Sequence, residues 1–133
     1  MNSNLSVQNL ILVFVGGGFG CIVRYLMSVF CFSKCLGLPW HTLLANIVGC
    51  AFIGVLFGLF LAKQNFLPEV KLFLMVGFCG GLTTFSTFSL ELFNLFQQSK
   101  YLAIGYAFLS VVGCFISVLI GFWFCGVLLK NGL

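Results

Sequence analysis

At 133 residues, 62% hydrophobic and only 6% charged, the chain has too few charged groups to cover a soluble domain of its own size. Its mean hydropathy of +1.22 and net charge of +4 fit an all-α membrane protein in which helices fill nearly the whole length. No room is left for a catalytic domain outside the bilayer, and an enzyme is not expected.

Residues 1–9 are polar and uncharged and lack the basic region and small-residue cleavage site of a signal peptide. The apolar run behind them is therefore read as a retained first span. With roughly 20 apolar residues needed for a crossing, four spans are predicted at about 10–32, 40–62, 72–96 and 102–129. They form one four-helix transmembrane unit over 1–133, with no second domain and no internal repeat. The connections 33–39, 63–71 and 97–101 are short, which forces neighbouring spans to run antiparallel.

Arg24 is the one charge well inside the first span. A mid-membrane arginine costs ~2.5–3.5 kcal/mol even on translocon scales, so it must face protein, water or a headgroup. It either snorkels to the interface or supplies positive charge to a vestibule that attracts anions. The second span carries Asn46, with Thr42 four residues earlier on the same helical face. The Asn46 amide either joins helices or donates N–H groups to an anion.

The third span is unlike the rest. Gly77, Gly80 and Gly81 crowd into five positions, each costing a helix about 1 kcal/mol relative to alanine, and five hydroxyl residues follow within the seven positions from Thr83 to Ser89. We read Gly80 to Thr84 as a break in which glycine takes positive φ and carbonyls leave the helical ladder, free to hold a cation or a partner. Such backbone is tolerated at membrane depth only inside protein or beside a polar cavity. Past the break, Phe85 and Phe88 share a helix face among Thr84, Ser86, Thr87 and Ser89. In the fourth span Tyr106, Ser110, Cys114 and Ser117 form a polar stripe, either an interhelical seam or a pore wall.

Glycines recur in the other spans and predict close helix packing. The seven cysteines are odd in number, scattered through apolar runs and without a CxxC pair, so they read as small packing residues. Lys63, Lys71 and Lys130 fall on the N-terminal side and Lys34 and Lys100 on the other, with Arg24 near them. So small a bias is compatible with insertion both ways and with an antiparallel pair about an in-plane two-fold axis. Donor-rich side chains, no acidic residue at mid-span and aromatic rings beside a broken helix together suit an anion. A ring edge carries partial positive charge, and many donors are needed to replace the water of a small anion.

Gly80-Gly81-Leu82-Thr83-Thr84-Phe85-Ser86-Thr87-Phe88-Ser89 with Glu91 resembles the signature of the CrcB/Fluc fluoride channel family. The likeness covers essentially the whole chain. Supporting matches are Gly17 to Tyr25, and Thr42-Leu43 with Asn46 and Gly49. The resemblance implies an antiparallel dual-topology homodimer in a bacterial inner membrane, with two pores that pass fluoride and exclude chloride. No nucleic-acid partner is expected. It further implies a central structural sodium ion on the backbone carbonyls of Gly80 and Thr83 from both copies. The family's pore phenylalanines fall on Phe85 and Phe88, its pore asparagine on Asn46, and its fourth-span tyrosine and serine on Tyr106 and Ser110. The fluoride path so implied takes in Arg24, Thr42, Asn46, Phe85, Ser86, Thr87, Phe88, Tyr106 and Ser110. His41, where the family usually has glycine, Cys21, where alanine is common, and Cys114 on the stripe depart from the pattern. The competing readings are a small multidrug-resistance-type exporter, which would need a carboxylate where the first span has Arg24, and a non-transporting assembly subunit.

Overall fold

The computed structural model describes residues 6–30, 37–62 and 67–130, and four of its helical segments are long and apolar enough to cross a membrane. Three are continuous: α1 (Val7–Phe30), α2 (Trp40–Ala62) and α6 (Lys100–Lys130). The third crossing is composite. It runs through α3 (Pro68–Lys71), a π-helical stretch (Leu72–Cys79), α4 (Gly80–Leu82), two non-helical residues and α5 (Phe85–Gln98).

This crossing starts at Pro68, four residues before the run read from hydropathy, because proline is suited to a first helical turn, where its missing N–H has no intrahelical partner to lose. Glu69 beside it favours the positive end of the helix dipole. Between α5 and α6 only Ser99 leaves the helix, extended at φ −158° and ψ 121°, and its hydroxyl accepts the Leu102 N–H at 3.5 Å. Cys31, Lys34, Cys35 and Lys63, on which part of the cysteine and charge reading rests, lie outside the described residues.

Small residues decide which helices meet. A Cβ on Gly54 would collide with the Val118 carbonyl, and one on Gly121 with the Ala51 carbonyl, so α2 and α6 touch backbone to backbone. On the other side, α1 lies against the π-helical stretch and α4 in the same way. Gly16 meets the Phe73 carbonyl, Gly20 the Phe78 carbonyl, and Gly81 the carbonyl of Gly17. Lipid is as apolar as leucine, so close dispersion contact of this kind is what holds such helices together. Gly18 and Gly105, read in the same way from sequence, have no neighbouring atom within 4 Å of where a Cβ would stand, and they serve no such contact.

Two apolar clusters flank the break. One joins Leu43, Phe88, Leu95, Ala103 and Tyr106, and the other joins Leu56, Phe60 and Cys79. By contrast α1 buries only Gly16 and Gly20 and turns rings such as Phe14 and Phe19 outward. Apolar surface of that extent belongs in a bilayer. The protein is a multi-pass membrane protein.

Candidate functional site

The third crossing opens at Thr83 and Thr84, which are extended at φ −85°, ψ 152° and φ −149°, ψ 124°. The glycines before them do not supply the turn. Gly80 is helical at φ −62°, and Gly37, far from the break, is the only positive-φ glycine among the described residues. The expectation of left-handed glycine over Gly80 to Thr84 is thus corrected: the break is two residues long, and Gly81 is needed for its contact with α1.

What opens the helix is the diversion of its donors. The Thr84 N–H would bond the Gly80 carbonyl in a continued helix, but goes to Asn46 Oδ1 at 2.8 Å. Asn46 Nδ2 returns a hydrogen bond to the Thr84 carbonyl at 3.2 Å, so one amide clamps both polar groups of that residue. The Thr87 N–H, which would serve the Thr83 carbonyl, bonds Thr84 Oγ1 at 3.2 Å as a helix N-cap for α5. Gly81 keeps a donor from elsewhere, Arg24 Nε at 3.1 Å. The carbonyls of Gly80 and Thr83 are left outside the helical ladder.

In the chain the Arg24 guanidinium ties α1 to the break through Nε, with Cys21 Sγ 3.7 Å from Nη2. Ser86 and Thr87 cluster with the cap, their hydroxyls 3.3 and 3.1 Å from Thr84 Oγ1.

A cavity of about 360 Å³ opens against the break, lined by Asn46, Gly80, Thr83, Thr84, Phe85, Phe88, Ser110 and the cysteines of three helices among others. Asn46 brings one amide hydrogen beyond the one that Thr84 uses. Ser110 is 5% exposed, lies beside Tyr106 and has no well-formed hydrogen bond. An unpaired buried hydroxyl costs about 1–3 kcal/mol, which a guest in the cavity would relieve. Phe85 and Phe88 stand with ring centroids 5.6 Å apart, Phe85 78% exposed and Phe88 buried against Tyr106.

Thr42 and Tyr106 form a second constellation centred on Glu91, whose weight sequence reasoning missed. Glu91 Oε1 accepts from Thr42 Oγ1 at 2.7 Å and lies 3.2 Å from His41 Nε2, while Oε2 accepts from Tyr106 at 2.8 Å. Both hydroxyl protons are thus taken up by the carboxylate. Asn46, Phe85, Phe88 and Ser110 line the cavity, whereas Thr42, Tyr106, Arg24, Ser86 and Thr87 are not among its lining residues. On the fourth-span stripe, Ser117 bonds its own helix at the Gly113 carbonyl, and Cys114 reaches the cavity.

The family described as CrcB-like protein, Camphor Resistance (CrcB), matches this chain over residues 11–122. The chain belongs to the CrcB family. Among its CrcB-family relatives, one from Leptospira interrogans serovar copenhageni, named Fluoride-specific ion channel FluC, is 45% identical over 93% of this chain and 96% of the relative. Proteins of the same name from Azobacteroides pseudotrichonymphae and Escherichia coli K12 are 40% and 39% identical over 87% and 88% of the chain, and 94% and 93% of their own lengths. The matched CrcB region contains the break, the Asn46 clamp, the phenylalanine pair and the Glu91 constellation.

Proposed function

We propose that this chain is a fluoride-selective channel that lets cytoplasmic fluoride leave a bacterial cell passively. HF enters uncharged and dissociates inside, and the trapped anion moves out down its electrochemical gradient. The relatives that it matches over nearly their full length are named fluoride-specific ion channels. The observation that carries the reading is the cavity at the helix break. It offers the free Asn46 amide hydrogen, the unpaired Ser110 hydroxyl and the Phe85 and Phe88 rings, with no carboxylate among its lining residues.

In this reading the anion sheds water against Asn46 and Ser110 and slides past the edges of Phe85 and Phe88, where the ring quadrupole is positive. Tyr106, Thr42, Ser86 and Thr87 hold the walls, and Arg24 fixes the break from α1. No bond is made or broken, so no enzyme chemistry is involved.

The exposed Phe85 ring and the outward apolar faces favour a second copy as the remaining wall, in an antiparallel homodimer permitted by the near-even lysine distribution. A sodium ion on the dimer axis fits the donor chemistry, since a hard cation takes oxygen ligands and the Gly80 and Thr83 carbonyls have lost their helical donors. Bound there, it would neutralise facing carbonyl dipoles.

Fluoride efflux from liposomes holding the purified protein tests the proposal. Fast, electrogenic release of fluoride with chloride retained is expected; membranes equally tight, or equally leaky, to both halides would refute it.

A further inference from the structure

The backbone contacts of α2 and α6, Gly121 on Ala51 and Gly54 on Val118, also bring together side chains one turn away. Cys50 of α2 and Cys114 of α6 each lie one turn from the Gly54–Val118 contact, on the side of the seam that faces the cavity. Both line the 360 Å³ cavity beside Asn46, Phe88 and Ser110, and Cys79 and Met75 add sulfur to the same wall. Both are half-buried free cysteines, reachable from the cavity. Packing alone accounts for a scattered thiol but gives no reason for thiols from two neighbouring helices on one passage wall.

We propose that Cys50 and Cys114 form a two-coordinate site for a soft, thiophilic cation of the mercury(II), silver(I) or copper(I) type, and that its occupancy blocks the anion passage. Thiolate sulfur selects such ions over hard ones. No three ligand-type side chains converge on a metal position among the described residues, so a cation content with two ligands fits and a tetrahedral one does not. With mercury(II), two Hg–S bonds form, two S–H bonds break and two protons leave to water, giving a neutral dithiolate that fills space without attracting the anion. The blockade rests on the pore assignment above, whereas the metal site does not.

The test is mercuric chloride added to the full-length protein. In liposomes, fluoride efflux should stop, and excess dithiol should restore it. Cys50→Ser and Cys114→Ser, each compared with its own untreated rate, should lose most of this sensitivity, while Cys79→Ser and Cys21→Ser should keep it. In detergent, the ultraviolet Hg–thiolate charge-transfer band should lose one equivalent of metal per chain in the Cys50→Ser/Cys114→Ser double variant. That readout stands even where a variant does not conduct. Undiminished inhibition in the double variant, or an unchanged metal titration, would overturn the site. A titration step lost as expected, with wild-type efflux indifferent to mercury, would overturn the blockade and separate it from the metal site.

Discussion

Replacing Asn46 by aspartate changes one NH₂ to an oxygen and very little else. The 2.8 Å hydrogen bond from the Thr84 N–H to Oδ1 survives, and the 3.2 Å bond from Nδ2 to the Thr84 carbonyl is lost. Leaving that carbonyl unpaired costs about 1–3 kcal/mol. The larger effect falls on the ion. A carboxylate ~4 Å from an anion repels it by ~4 kcal/mol at an effective dielectric constant of about 20. At ~1.4 kcal/mol per decade, this lowers anion occupancy about a thousandfold. Fluoride efflux from liposomes, normalised to protein content, should therefore fall below detection in Asn46→Asp. Asn46→Ala, which removes both clamp bonds and adds no charge, separates loss of the clamp from repulsion and should retain the higher flux of the two. Efflux in Asn46→Asp within about tenfold of wild type would correspond to less than ~1.4 kcal/mol of repulsion and would remove Asn46 from the ion path.

Phe88→Ile keeps apolar bulk but removes a ring held 5.4 Å from Tyr106, a contact worth ~0.5–1.5 kcal/mol, together with the edge offered to the anion; efflux should collapse while the protein still elutes as a single species. Glu91→Gln leaves one acceptor oxygen for two hydroxyls, so one bond to Thr42 or Tyr106 is lost at a cost of about 1–3 kcal/mol; thermal unfolding in detergent should register the drop. Gly81→Ala places a methyl group against the Gly17 carbonyl, and either α1 or the break must move. Overpacking of that kind costs ~1–3 kcal/mol, so stability should fall, whereas Gly80→Ala, with nothing within 4 Å, should be tolerated by the isolated chain.

The existence of the break was legible in the sequence, because three glycines and a run of hydroxyls have no use in a plain lipid-facing helix. Its cause was not legible. The helix opens at Thr83 and Thr84 because an amide 38 residues away takes the Thr84 N–H, and a ladder lost to a tertiary partner leaves no local mark. The Thr84 cap, with its bond to the Thr87 N–H three residues on, is a local pattern, but one hard to single out among so many hydroxyls. The π-helical stretch at Leu72–Cys79 reads as a uniform apolar run, and nothing in its composition separates i+4 from i+5 bonding. Glu91 looks peripheral along the chain, yet α2 and α6 bring His41, Thr42 and Tyr106 to it. That Arg24 needs a partner inside the membrane follows from its position in the first span, but the partner is a backbone carbonyl at the break. Cavity-lining Asn46, Phe85, Phe88 and Ser110 are all among the residues that the sequence singles out.

The central claim is that the cavity beside the interrupted helix passes a dehydrated fluoride ion. Electrical recording across a planar bilayer containing the purified protein, with unequal fluoride and equal chloride on the two sides, tests it most directly. The account predicts a steady current that reverses near the equilibrium potential of fluoride and vanishes in Asn46→Asp. A current that follows chloride as readily as fluoride, or one unchanged in Asn46→Asp, would contradict it.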